Sequence, residues 1–400
     1  MNILAIDLGK FNSMCCYFNT ETQEYSFWPV ATSRSYMESV LKSATIDRVV
    51  MEACGPSGWM HDLCEELKIE TLVCSTNEQA WLWKNVKRKT DKDDALKLAR
   101  LDMCGQLTRV HVPQRQGREH RTLVKYRKTL DQRVGRMKNL IRSLFANQGL
   151  EIPRGARAWT VQGREVINGH RRPLAECSLE ELWRGELDLE LKQLDSLTAQ
   201  LAEVESRLEE IAQDDDRIRR VQTIPGVGRK TAEVLVTALD DVDRFDNARQ
   251  VSAYIGLVPR QYQSGETDRN GRITKRGSRL VRTILLECAW ASLKYNPWSR
   301  TVFQRIAGGQ KNRRKKAAVA LARKIAVVAW SMLKHGTDWD PTRLEIDLEP
   351  EPDESAGDGP PDSRRWKRVT QRDAGQRAAV AHGSGRRPNE CGQRFFESTI

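Results

Sequence analysis

Read as apolar and polar positions, the chain opens on a short apolar run, Ile3-Leu-Ala-Ile6, that ends in Asp7-Leu-Gly-Lys10. A run of this length closed by a glycine predicts a buried strand over 2–8. Residues 13–19 and 24–29 predict two further strands of a meander. Ile46 to Glu52 is another apolar strand, and Cys54-Gly-Pro-Ser-Gly58 leads into a helix from Trp59 to Leu67. Glu70 to Cys74 reads as a short strand. Thr90 then has the character of an N-cap for a helix from Asp91 to about Asp102, whose acidic first turn suits the helix dipole. Strands first and then alternating helix and strand predict an α/β domain with a mixed sheet. A basic helical stretch follows, from about Arg118 to Phe145.

Further along, Leu194, Leu197, Leu201, Val204, Leu208 and Ile211 step by 3, 4, 3, 4 and 3. This is an a/d seam over about two and a half heptads. It fits a coiled coil, and equally an amphipathic helix packed within its own domain. Ile224-Pro-Gly-Val-Gly228 precedes a helical run from Lys230 to Leu239, the pattern of a helix-hairpin-helix. Gly226 and Gly228 would let backbone N–H groups approach a phosphate; an ordinary glycine-containing connection is the alternative. Two more helices run from Gly277 to Lys294 and from Arg313 to His335, the latter stopped by Gly336. After Pro341 the chain turns rich in Pro, Gly and acids up to Pro361, then rich in Arg, with no sustained period. Such a segment predicts a disordered tail over 341–400.

Composition narrows the class. The 400 residues suggest two or three domains, and a hydrophobic share of 39% is enough for real cores. No apolar run approaches the roughly 18 residues of a spanning helix, so no membrane role is expected. The start, Met1-Asn2-Ile3-Leu4-Ala5, lacks a basic region of the signal-peptide kind. Nine cysteines without a C-x-x-C pair fit reduced, buried thiols, and a zinc site is not expected. A cytoplasmic, nucleoid-associated protein is the consistent location. Lys and Arg number 66 against 54 Asp and Glu, a net charge of +12. That surplus is unevenly placed. Lys84 to Arg142 holds 18 basic and 6 acidic residues, Glu176 to Asp216 holds 3 and 14, and Arg260 to Lys334 holds 18 and 3. Two basic blocks predict two nucleic-acid surfaces, and the acidic helix between them is expected to contact protein.

Four carboxylates sit where metal chemistry could use them. Asp7 and Glu52 end predicted strands, and Asp91 and Asp94, three residues apart, share a helix face. Asp93 points away from that face. Magnesium prefers such oxygen ligands, and it suits phosphodiester chemistry. Each acid also has an ordinary reading: Asp91 as a dipole partner, Glu52 as a surface strand end. Arg260, Arg269, Arg272, Lys275, Arg276, Arg279 and Arg282 cluster in sequence, and Arg313-Arg-Lys-Lys316 opens a later helix. Arginine is suited to bidentate phosphate contacts. Ser278 between arginines reads as a cap or a phosphate contact. Trp81, Trp83 and Tyr126 are either base-stacking or core residues. The six histidines form no ligand-spaced cluster.

These blocks carry a resemblance. Ala5-Ile-Asp-Leu-Gly9, Val50-Met-Glu-Ala-Cys-Gly-Pro-Ser-Gly-Trp59 and Arg88-Lys-Thr-Asp-Lys-Asp-Asp-Ala95 resemble the DEDD domain of the insertion-sequence-110 transposases, relatives of the Piv and MooV invertases. Ile224-Pro-Gly-Val-Gly228, Ala253-Tyr-Ile-Gly-Leu-Val-Pro259, Gln263-Ser-Gly265 and Gly271-Arg-Ile-Thr-Lys-Arg-Gly277 resemble that family's C-terminal transposase domain. The resemblance implies a ribonuclease-H-like domain over 1–150, a coiled-coil helix over 176–216 and a mostly α transposase domain over 217–338. It implies that Asp7, Glu52, Asp91 and Asp94 hold Mg²⁺ and that Ser264 is a DNA nucleophile forming a phosphoserine intermediate. It further implies double-stranded DNA as substrate, a structured guide (bridge) RNA, and homodimers that assemble into a tetramer. From the residues alone a Ser-Gly pair is commonly a turn. Two other readings stay open: a metal-dependent junction-resolving nuclease using water, and a nucleic-acid-binding protein without catalysis.

Overall fold

The computed structural model describes residues 1–75, 90–264 and 267–344. Trp81, Trp83 and the tail beyond 344 lie outside the described residues. The N-terminal part is a five-stranded sheet of β1 (Asn2–Asp7), β2 (Asn12–Asn19), β3 (Tyr25–Ala31), β4 (Arg48–Glu52) and β5 (Glu70–Cys74). Their order is β3-β2-β1-β4-β5. β1, β2 and β3 form the antiparallel meander, while β4 and β5 continue parallel to β1. Gly9 makes the first turn possible, because a Cβ there would overlap the Asn12 carbonyl oxygen. The parallel strands need crossovers, supplied by α1 (Arg34–Ser43) and α2 (Ser57–Glu66).

Both faces of this sheet are covered, which is why β1 and β4 read as continuous apolar runs. Leu4, Ile6, Val49 and Met51 pack against Met37 and Leu41 of α1 and Met60 and Leu63 of α2. Ile3, Ala5, Phe18 and Val50 pack against Ala95, Leu98 and Ala99 of α3 (Asp91–Met103). The sequence pattern did not predict α1. Only Met37 and Leu41 of its ten residues are buried hydrophobics, too few to print a period.

Two helices of 33 residues come next, α4 (Arg115–Asn147) and α6 (Leu182–Asp214), with α5 (Val161–Asn168) between them. Each long helix spans about 50 Å. They run antiparallel: Phe145 near the end of α4 meets Trp183 at the start of α6, with ring centroids 5.9 Å apart. The heptad seam is packed within the chain. Leu194 and Leu197, with Leu201 and Val204, bury against Leu130, Val134 and Ile141 of α4. Of the two outcomes that the seam allowed, packing inside the chain is the one adopted. The acidic helix lies along the basic α4 of its own chain.

The remainder is mostly helical around one large core: α7 (Asp216–Gln222), α8 (Arg229–Leu239), α9 (Ala248–Ile255), α10 (Arg279–Tyr295), α11 (Pro297–Ala307) and α12 (Arg314–His335). A hairpin of β6 (Pro259–Ser264) and β7 (Thr267–Ile273) interrupts the helices. Val221, Leu235, Leu285, Val302, Leu321 and Ile325 are among its fully buried side chains. Gly336, left-handed at φ 64°, ends α12 as predicted. Among the described residues no helix is long and apolar enough to cross a membrane.

Five of the eight described cysteines are buried. Cys54 and Cys104 are exposed, against expectation. Burial pushes the Cys15 thiol up to about 12, with Cys16 adding to it. Cys64 and Cys288 are pushed by burial to about 11, so these thiols are inert at neutral pH.

Arg127 of α4 forms a buried ion pair with Glu233 of α8, and Arg229 lies 3.5 Å from the same carboxylate. Glu233→Gln is expected to cost about 3 kcal/mol by urea denaturation, because it strands a buried guanidinium. Replacing both partners, Arg127→Met with Glu233→Met, is expected to cost less than the single change. A double variant that is no better than Glu233→Gln would remove the ion pair from this account.

Candidate active site and nucleic-acid interface

Asp7 is the last residue of β1 and Glu52 the last of β4. The two strands are parallel neighbours with Ile6 opposite Met51, so Asp7 and Glu52 occupy the next pair of positions. Adjacent strands lie about 4.8 Å apart. Cys54 joins the two strand ends, its Sγ donating to the Leu8 carbonyl at 3.9 Å. Burial raises the Cys54 thiol, a bond with the Ser57 backbone opposes this, and the charges of Glu52 and Asp7 both raise it further. Both carboxylates therefore act on one side chain.

The helix that carries Asp91 and Asp94 starts with a capping box. Thr90 Oγ1 accepts from Asp93 N at 3.3 Å, and Asp93 Oδ2 accepts from Thr90 N at 3.1 Å and from its hydroxyl at 2.6 Å. The cap uses the Asp93 carboxylate, which explains why Asp93 stands apart from the other acids. The direction of α3 follows from its far end. Asp102 lies 3.3 Å from Arg48 at the start of β4, so α3 runs antiparallel to β4. Asp94 is about 12 Å back along the helix from Asp102. Glu52 is about 13 Å along the strand from Arg48. The two acids thus reach the same end of the sheet, with Asp94 half-buried and Asp91 exposed at the helix start. Hard carboxylate oxygens from two strand ends and a helix start fit the donor chemistry of Mg²⁺.

Another acidic group, His61, Asp62 and Glu65 of α2, brings its ligand atoms within 4.8 Å of one another. Sequence spacing did not single it out. Asp62 is already ion-paired with Arg118 and His61 lies 3.6 Å from Glu65, an arrangement of surface ion pairs. Arg118 also lies against Gly58 of the second motif block, where a Cβ would sit 2.8 Å from its Nε. Beside Glu52, a cleft of about 760 Å³ is lined by Ala53, Cys54 and Gly55 with Arg34, Arg115 and Arg118.

Ser264 is the final residue of β6, paired with Thr267 across the hairpin end. Its side chain lies outside the described set, as do Gly265 and Glu266. The base of the hairpin is well defined. Gly256 has φ 75° and Gly277 has φ 78°. A Cβ on Gly256 would overlap the Arg276 carbonyl, and one on Gly277 would overlap that of Tyr254. Thr274 N donates to the Val258 carbonyl at 2.8 Å and Lys275 N to that of Gly256 at 3.2 Å. Two separate motif blocks are thereby clamped backbone to backbone. Arg282, grouped in sequence with the candidate phosphate-contacting residues, serves this clamp. Its Nη1 donates to the carbonyls of Arg276 at 2.8 Å and Gly277 at 2.9 Å. Gly256→Ala is expected to lose about 1–2 kcal/mol from the left-handed conformation alone, plus the overlap. A thermal melt unchanged from the parent chain would remove the clamp.

Arg260, Arg269, Arg272, Lys275, Arg276 and Arg279 are all exposed around this hairpin. Ser278 caps α10, its hydroxyl accepting from Val281 N at 3.4 Å. The Ile224–Gly228 turn does join two helices, α7 and α8. Its glycines have different jobs. Gly226, at φ 91°, lets the turn lie against α10, where a Cβ would sit 2.6 Å from the Ser292 Cα. Its carbonyl accepts from Cys288 Sγ at 3.4 Å. Gly228 is exposed with open space around it, and it caps α8 without a side chain. Tyr126 is 40% exposed on α4, so it is not a core residue. Lys125, Arg133 and Arg136 are exposed on the same helix.

Comparison with known proteins agrees with both halves of this arrangement. A DEDD transposase model of the IS110 type matches residues 4–147. A second model, described as the transposase IS116/IS110/IS902 family, matches residues 218–304. The chain is 27% identical over 342 residues to the transposase for insertion sequence element IS1111A of Coxiella burnetii, a match covering 83% of this chain and 90% of that one. It is 28% identical over 348 residues to a probable family 20 transposase of Pseudomonas aeruginosa, covering 85% of this chain and 100% of that one. It is also 28% identical over 127 residues to the pilin gene-inverting protein of Moraxella bovis, covering 31% of this chain and 39% of that one. With both models matched in order and full-length transposases aligned across the two, the chain belongs to the IS110/IS116/IS902 family of DNA transposases, enzymes that use acidic residues with a divalent metal, typically Mg²⁺.

Proposed function

We propose that this insertion-sequence transposase cuts and rejoins DNA through Ser264, working with the acids Asp7, Glu52, Asp91 and Asp94. The observation that carries the proposal is the pairing of two sites on one chain. Acids gather at one end of the sheet, and a serine sits at the end of a hairpin held on the Gly256 and Gly277 clamp. The reading assigns 1–150 to a ribonuclease-H-like catalytic domain, 176–216 to a helical connector, 217–338 to the serine-bearing transposase domain and 341–400 to an appended tail. The strand order, with one antiparallel meander and two added parallel strands, supports the ribonuclease-H-like assignment.

A serine hydroxyl is a weak nucleophile and needs a base. A carboxylate of the acidic set takes the proton from Ser264 Oγ. The oxygen then attacks phosphorus, an O–P ester bond forms, and the bond to the leaving strand oxygen breaks as that oxygen is protonated. The phosphodiester energy stays in the phosphoserine, so rejoining needs no ATP. Asp7, Glu52, Asp91 and Asp94 would hold Mg²⁺, which supplies positive charge against the charge that builds on the phosphate oxygens. Arg260, Arg272, Lys275, Arg276 and Arg279 steady the phosphates around the hairpin, and Gly228 offers the open start of α8.

Assembly follows from what the chain leaves unsatisfied. Among the described residues the hairpin makes no extended contact with the N-terminal sheet. The seam of α6 is already packed on α4, so the pairing surface lies elsewhere. Large apolar side chains stand exposed near the far end of the helix pair, with Val161 at 78% and Leu179 at 88%. A second copy covers that patch, bringing the serine of one subunit to the acids of another, and two dimers hold two duplexes. A structured RNA from the element's flanking DNA lies on the basic face of α4 with Tyr126. Such a complex acts at the nucleoid.

The competing reading is a junction-resolving nuclease in which water attacks, since the acids alone suit both. The test is to trap the full chain on labelled element-end DNA and digest the product. A phosphate ester on Ser264 is expected; cleaved DNA without any protein adduct would establish the water mechanism. Co-expression with the flanking non-coding DNA, followed by sequencing of bound RNA, tests the guide. Recovery of unstructured cellular RNA alone would sink that part.

A further inference from the structure

A second feature of the C-terminal region lies away from every residue assigned above. A cleft of about 490 Å³ between α9, α11 and α12 is lined by Arg249, Arg323, Lys324 and Trp298, with apolar walls that include Val258 and Val328. Trp298 is 2% exposed, yet its indole Nε1 has no hydrogen-bond partner among the described residues. A buried N–H without an acceptor is rare in folded proteins. No ion pair joins Arg249, Arg323 or Lys324 to an acid among the described residues. Burial holds Lys324 below the usual lysine range, and Arg305 and Arg323 push it the same way. Arg249, Arg323, Lys324 and the Trp298 indole are all donors, and the Ser252 hydroxyl on the same lining already donates to the Ala248 carbonyl at 2.8 Å. Such a set accepts an anion and rejects a cation.

The position of the cleft says which anion. Val258 directly precedes β6, and its carbonyl anchors Thr274 on the returning side of the hairpin. The cleft is therefore at the foot of the hairpin that ends in Ser264, about 20 Å away along an extended strand. That distance is roughly six base pairs of duplex.

We propose that Arg249, Arg323, Lys324 and the Trp298 indole form a pocket for one backbone phosphate of the DNA whose strand is handled by the hairpin. The pocket fixes the position of the duplex relative to Ser264. This rests on the DNA strand-transfer reading above. The pocket differs from the exposed arginines of the hairpin in that Trp298 is buried and Arg323 and Lys324 are half-buried, with Arg249 exposed beside them.

The test measures binding of the full chain to a labelled duplex carrying the element end, over a range of salt. Arg323→Gln with Lys324→Gln is expected to lower affinity about ten-fold and to reduce the slope of log affinity against log salt by about 1, as for one lost phosphate contact. Trp298→Phe keeps the packing and removes only the neutral donor. It is expected to weaken binding about three-fold with the slope unchanged. Millimolar inorganic phosphate is expected to raise the melting temperature of the parent chain and not that of the double variant. If the double variant does not fold, the Trp298→Phe affinity decides. A double variant with the parent slope overturns the proposal, as does Trp298→Phe binding like the parent. Stabilisation by inorganic phosphate with duplex binding unaltered in every variant would make the cleft a small-anion site, which also overturns it. If the parent chain binds no duplex, the strand-transfer reading fails first and this pocket with it.

Discussion

Ser264→Ala is expected to lower strand transfer by about 10⁴-fold or more while leaving duplex affinity within about two-fold, the signature of a residue used only in the chemical step. The separation is physical. Ser264 ends a hairpin whose footing is made by Gly256, Gly277 and Arg282 at its base. Removing one oxygen leaves that footing and the exposed arginines as they were. The covalent protein–DNA adduct is expected to disappear with the activity. Should the adduct persist in the Ser264→Ala chain, another residue is the nucleophile. Should cleavage persist without any adduct, water attacks and the acids act alone.

Asp7→Asn is expected to reduce cleavage on the order of 10³-fold, the scale of several kcal/mol of lost charge stabilisation at a metal-assisted phosphate. Chelation of divalent ions is expected to do the same to the parent chain and to add little further loss to Asp7→Asn. Asparagine keeps the size of the side chain at the end of β1, and the strand is held by its register with β2 and β4. The fold is therefore expected to survive, and an unchanged melt is the control. Mixing Asp7→Asn chains with Ser264→Ala chains then reports the assembly. Random pairing in a two-fold dimer restores roughly a quarter of the sites if serine and acids come from different subunits. No recovery at any mixing ratio would mean that each site is completed within one chain. Cleavage by Asp7→Asn at the parent rate would remove Asp7 from the metal set.

Much of the candidate site was legible in the residues because its parts are local. Asp7 and Glu52 close apolar runs, and a strand covered on both faces leaves its first polar residue at the end. Thr90 reads as an N-cap, and the structure completes it as a capping box with Asp93. What sequence spacing missed were long-range reasons. Gly58 lies against the Arg118 side chain, 60 positions later in the chain. Gly226 answers to Ser292 on α10, whose Cα a Cβ there would meet at 2.6 Å. Arg282 looks like the exposed arginines around it and is used on carbonyls instead. α1 printed no period because one turn of contact suffices to cover its part of the sheet.

The sequence by itself determined the five N-terminal strands, the long helices and the uneven charge, since these depend on periodicities and residue chemistry within a few positions. Only the tertiary structure decided which partner each surface takes. A heptad seam specifies that a helix must be covered, and the same leucines can satisfy it on a second chain or on α4. Here α4 covers it, because the antiparallel neighbour is supplied within one chain and buries both apolar faces together.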